Sequence, residues 1–132
     1  MREGWFEDYY LIIFDEDESL IALKEYGFEL NFQEYKLIGL IGWDDFILFK
    51  NDQFLIVPTA PTTIEYLSLS PFQEMPEFLE HDESLNGNIK WYTTPLIFGG
   101  DPSSEENISW VNHKQHRELV VFWNNQYKKS TV

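Results

Sequence analysis

The sequence predicts an α+β domain: an antiparallel sheet of four or more strands with a C-terminal helix packed on one face. Three observations predict it. Residues 36–41, 45–49 and 53–57 are compact β-prone runs parted by short turn segments. The last third has a marked helix start, with Asn112 as N-cap and Gln115 three residues on completing a capping-box pair. From there His116, Leu119, Val120, Trp123 and Tyr127 recur at the spacing of one helical stripe, which should dock on the sheet. No repeat, low-complexity tract or linker divides the chain, so residues 1–132 read as one domain.

The elements follow in order. Residues 9–14 (YYLIIF) are a short apolar run that suits a strand or the first turn of a buried segment. The acids Asp15, Glu16, Asp17 and Glu18 then favour a helix N-terminus, and Gly27 suits the position just past its end, so a helix is predicted over 17–26. The three β-prone runs form a meander through the Gly42-Trp43-Asp44 and Asn51-Asp52 turns. Pro58 and Pro61 end the third strand, and Pro61 is placed to start a short helix over 62–67. Residues 70–88 read as loop, with an irregular turn over 76–81. Asn86-Gly87 turns into a last strand over 89–98, which Pro95 restricts to an edge or a bulge. Gly99, Gly100 and Pro102 reverse the chain into a short extended piece before the final helix.

Charge is the strongest global signal. Nine Lys and Arg against 23 Asp and Glu give a net −14, a surface that repels nucleic-acid phosphates and anionic lipid and attracts basic partners. The 17% aromatic content argues against disorder at this charge. Residues 1–35 carry ten acids, whereas 112–132 carry Lys114, Arg117, Lys128 and Lys129 against Glu118. The final helix therefore reads as a scaffold whose cations balance the acidic remainder. Without cysteine there is neither disulfide framework nor thiolate chemistry, and a cytoplasmic location is the default. The first residues lack the charged start and apolar run of a signal peptide, and no apolar run approaches the ~20 residues that span a bilayer.

Catalytic signals are sparse. His113 and His116 stand three apart, a spacing that lets two imidazoles face one metal, but no third ligand is placed by the sequence. His116 also falls on the apolar stripe, where a hydrogen-bonded structural histidine is the commoner case. The acids at 15–18 lack the spacing of a calcium loop. No nucleophile elbow or phosphate-loop spacing occurs, and Asp101, Glu105 and Glu106 would repel phosphate beside Gly99-Gly100. No catalytic residue, metal or cofactor is predicted. The turn bearing Trp43, Asp44 and Asp45 is the foremost binding candidate, because an aromatic with two acids supplies an anchor and charge for a basic partner. The alternative is that Trp43 folds back onto the sheet edge while the acids solvate the turn. Asp15 and Glu18 are expected to add steering charge.

At Gly99-Gly100-Asp101-Pro102, Asn107, Trp110-Val111 and the aromatic-rich helix ending in Trp123-Asn124, the chain resembles the SUKH superfamily. A looser echo lies in the sheet segment 37–46. These are small bacterial α+β proteins, many of which neutralise toxins. The resemblance implies a non-enzymatic inhibitor whose binding residues vary between members, so it assigns none here. Together with the charge, it makes a bacterial immunity protein acting on a basic toxin the leading expectation, with a protein partner and neither nucleic acid nor membrane. The alternatives are a small metal-dependent hydrolase using His113 and His116, and a DNA-mimic inhibitor whose carboxylates stand in for phosphates.

Overall fold

The computed structural model describes residues 1–28 and 32–131; Glu29, one of the amino-terminal acids counted above, lies outside them. An antiparallel meander of six strands runs in sequence order: β1 (Arg2–Phe6), β2 (Tyr9–Ile13), β3 (Lys36–Ile41), β4 (Asp45–Lys50), β5 (Gln53–Pro58) and β6 (Ser68–Leu69). A second sheet pairs β7 (Ile89–Tyr92) with β8 (Ile108–Val111). Two α-helices, α1 (Glu16–Glu25) and α2 (His113–Ser130), complete the α+β fold that the sequence predicts.

Local chemistry explains each boundary. Asp15 caps α1 by accepting from the Glu18 N–H, and the Glu18 carboxylate accepts from the Asp15 N–H in return. Asn112 and Gln115 make the same reciprocal pair at α2. Asn51 and Asp52 both adopt left-handed backbone (φ 53° and 61°), the geometry that matches a two-residue turn to the twist of β4 and β5. Within β3 the register slips by one residue between Leu37 and Gly39, so Leu37 and Leu40, three apart, both reach the same core. A Cβ at Gly39 would lie 1.8 Å from the Ile12 carbonyl oxygen, so only glycine allows β2 to approach this bulge.

Each face of the large sheet carries its own core. On one, Tyr10, Ile12, Leu40, Phe46, Leu48 and Val57 meet Ala22 of α1 and Tyr26 just past its end, Ile89 and Trp91 of β7, and Val120 of α2. The predicted stripe thus faces the core through His116 and Val120, while Leu119 and Trp123 are half-buried at its margin. On the other face, Leu11, Ile13, Ile41 and Ile47 are covered by Phe72, Met75 and Leu79 from the segment that reads as loop. That segment is a strap: Trp5 and Glu80 exchange backbone hydrogen bonds of 2.8 and 2.9 Å, and the Arg2 guanidinium donates to the carbonyls of Pro76 and Glu77.

Three expectations are corrected, and one strand arises where the sequence predicts no element. β1 carries no period-2 apolar signal, since Arg2, Glu3 and Gly4 precede its aromatics, yet it pairs with all of β2. The predicted last strand stops at Tyr92, and 96–98 form a 3-10 turn behind Pro95. Instead of a ladder, the Asn107 side chain takes up the backbone N–H and C=O of Thr94, and β8 follows as the last strand. The helix expected over 62–67 shrinks to a 3-10 turn at Ile64–Tyr66, with Pro61 before it on a cis peptide bond. Finally, α1 spans Glu16–Glu25, one residue earlier than predicted.

Candidate functional site

The turn between β3 and β4 builds the most distinctive site. Gly42 and Trp43 are both left-handed (φ 59° and 63°), a strained state for a bulky residue. It turns the Trp43 indole back onto Tyr10, stacked at 5.1 Å between centroids, with edge contacts to Trp5 at 6.0 Å and Trp110 at 5.3 Å. Trp43 is therefore half-buried, and the ring of this cluster that reaches solvent is Trp110, 47% exposed.

The same turn aims its acids the other way. Asp44 is fixed through its backbone, whose carbonyl accepts from the Thr59 N–H (3.0 Å) and hydroxyl (3.2 Å). Its carboxylate pairs with the Lys90 ammonium at 3.5 Å. Lys90 is held in turn by the Tyr92 hydroxyl (3.1 Å) and lies 4.5 Å from the Tyr92 ring centroid and 5.9 Å from that of Trp43. Asp45 has no such partner: among the described residues its carboxylate meets no cation and accepts no hydrogen bond.

Both acids open onto a cleft of about 290 Å³ whose other walls include Tyr66, Trp91, Tyr92 and Leu96. The wall beside the acids, the stretch after β5, is pinned by Asn124 of α2. The Asn124 side chain accepts from the Thr62 N–H (2.6 Å) and donates to the Thr59 carbonyl (2.9 Å) and the Thr62 hydroxyl (3.1 Å). Burial raises the pKa of both acids. Lys90 opposes the rise at Asp44, whereas burial and then the Asp44 charge push Asp45 up to about 6. An apolar, preformed cleft with convergent perturbed carboxylates is the common form of a binding site.

The other predicted residues lie apart from it. Asp45 shares a row across the sheet with Leu11, Ile41 and Pro58. Asp15 and Glu18 sit at the opposite end, where Glu16 pairs with Lys36 and the Ser19 hydroxyl donates to the Leu37 carbonyl. There they cap α1, and Glu18 also holds the Met1 amino group at 2.7 Å. Accepting the Glu18 N–H keeps Asp15 below the usual carboxylate range.

His113 and His116 differ in setting: His113 is half-buried at the start of α2, whereas His116 points into the core. His116 is fully buried, hydrogen-bonded through Nδ1 to the Tyr26 hydroxyl at 2.7 Å and edge-on to Trp91, and burial pulls its pKa down to about 3. Among the described residues, no three His, Asp or Glu side chains are grouped to hold a metal ion, and no helix is long and apolar enough to cross a membrane.

Lys90, Tyr92, Trp91, Leu96 and Asn124 went unnoticed as site residues in the sequence. Lys90 and Tyr92 share a face of β7 as an i, i+2 pair, but nothing in the sequence says that Asp44 stands opposite. The chain matches no family model, no curated protein and no solved structure.

Proposed function

We propose that this is a non-enzymatic acidic binding protein, acting as a bacterial immunity protein that takes a basic toxin on the face around Asp44 and Asp45. The observation that carries this reading is Asp45, a carboxylate turned into an apolar cleft with no cation of its own. Holding an unpaired charge in such a place costs folding free energy, and a cationic partner would relieve it. The net −14 supports the same reading, since it draws a basic protein in at long range. So does the SUKH resemblance around Gly99-Gly100 and Asn107.

The test begins beside the gene. If a neighbouring reading frame encodes a basic domain, its expression should arrest bacterial growth and co-expression of this protein should restore it. Asp45→Asn should weaken that complex about tenfold or more, as expected for removing one member of a desolvated charge pair. Growth arrest that this protein cannot relieve, or a neighbourhood of metabolic genes only, would overturn the reading.

A further inference from the structure

Two carboxylates enter the cleft beside one resident cation. Lys90 is committed to Asp44: the ion pair, the Tyr92 hydroxyl and the two rings beneath its ammonium fix it there. Asp45 is the remaining negative charge. An anionic ligand would be repelled by the pair, and a neutral apolar one would bury Asp45 still unpaired. The fitting ligand is a cation, and its size is bounded. A cleft of about 290 Å³ lies at the lower edge of those that hold drug-sized molecules, which suits one side chain. The rings of Tyr66, Trp91 and Tyr92 and the apolar Leu96 favour an aliphatic stem ending in a flat group. A guanidinium meets both demands, since it stacks on aromatic faces and forks onto a carboxylate, whereas an ammonium stays more strongly hydrated. Because Asn124 already fixes the wall after β5, little ordering is needed on binding.

We propose that the cleft is a receptor for an arginine side chain of the partner protein, with Asp45 as its counter-ion. This rests on the binding reading above and names the group that reading leaves open. The cleft's titratable groups are Asp44, Asp45, Tyr66 and Tyr92, with Lys90 beside Asp44. Burial pushes Asp45 up to about 6, so its ionisation between about pH 5 and pH 7.5 would switch the site on.

The probe is n-butylguanidinium, titrated into the full chain while the Leu96 and Ile97 methyl resonances are followed. Saturable shifts are expected at about pH 7.5, weakening several-fold at about pH 5 and several-fold for n-butylammonium. Asp45→Asn should weaken binding about tenfold or more. Leu96→Trp, which fills the cleft without touching its charge, should abolish it and serves if Asp45→Asn does not fold. The blocked peptide acetyl-Gly-Arg-Gly-amide should bind at least as well as the free cation. If only the free cation binds, the site serves a small molecule and the partner-arginine assignment fails. Shifts that never saturate, or that survive both variants, overturn the cation site itself. Toxin neutralisation that survives Leu96→Trp would overturn the arginine receptor while leaving the binding reading standing.

Discussion

Asp45 is ionised at neutral pH against the preference of its surroundings. Its folded pKa near 6 lies above the ordinary 3.8, so between those values the folded chain binds more protons than the unfolded one. Stability therefore gains from this group as pH falls through about 6 and carries a penalty above it. After discounting for partial exposure, Asp45→Asn should raise stability at about pH 7.5 by roughly 1 kcal/mol, with the gain gone by about pH 4. Urea midpoints at the two pH values measure this, and an unchanged neutral midpoint would show that the carboxylate is well solvated. His116 acts with the opposite sign. Its folded pKa of about 3 lies below the ordinary 6.5, so its contribution is complete above 6.5 and is lost as pH drops toward 3. His116→Phe removes the imidazole that pairs with the buried Tyr26 hydroxyl, leaving Arg117 as its polar neighbour, and should cost about 1 kcal/mol at neutral pH. The deficit should narrow in acid, because the variant has no imidazole to charge; a deficit constant with pH would contradict the assignment. At this scale the sequence exposes Asp44 and Asp45 as an acid pair at a turn. It hides which of them is compensated, because Lys90 comes from another sheet.

At the scale of elements, the meander β3–β4–β5 and both capped helices were legible, since short-range rules determine them: turn chemistry, capping pairs and periodicity. The joints between elements were not. The β3 bulge shows in the sequence only as a glycine inside a strand run, and its reason is the Ile12 carbonyl across the pair. Gly39→Ala would drive a methyl into that oxygen, so β2 and β3 must separate, at an expected cost of ~3 kcal/mol or more. Thermal melting checks this, and a drop of only a degree or two would mean that the sheet yields easily. Asn124 is a second such joint, where one amide of α2 holds the backbone of Thr59 and Thr62. Asn124→Ala should cost about 1 kcal/mol by removing the partner of the half-buried Thr62 N–H and Thr59 carbonyl. It should also speed hydrogen exchange at that amide while α2 keeps its helicity. Unchanged exchange would show that the wall of the cleft holds itself.

Across the whole molecule, −14 acts as a net repulsive field on which Arg117 and Glu25, Lys36 and Glu16, and Lys50 and Glu34 place local counter-pairs. Self-repulsion is screened by salt, so the melting temperature should climb by several degrees between about 0.02 and 0.5 M NaCl. A flat response would assign the acids to local pairing instead. The same salt should slow association with a basic partner far more than it changes dissociation. The half of the core beneath the strap was illegible for a simple reason: Phe72, Met75 and Leu79 stand at helical spacing, but Pro76 interrupts it and acids surround it, so the stretch reads as loop. Between Phe72 and Pro76 the strap carries no ladder; Ser70 at one end and Arg2 and Glu80 at the other hold it. One proteolytic nick after Glu74 would thus leave the meander paired but its lower face bare. Leu11, Ile13, Ile41 and Ile47 would then form a flat apolar raft that draws a second nicked copy onto itself. The strap's sequence, acidic and rich in proline, resists folding on its own, and that same character makes it the seam along which an intact molecule could be turned into the seed of an aggregate.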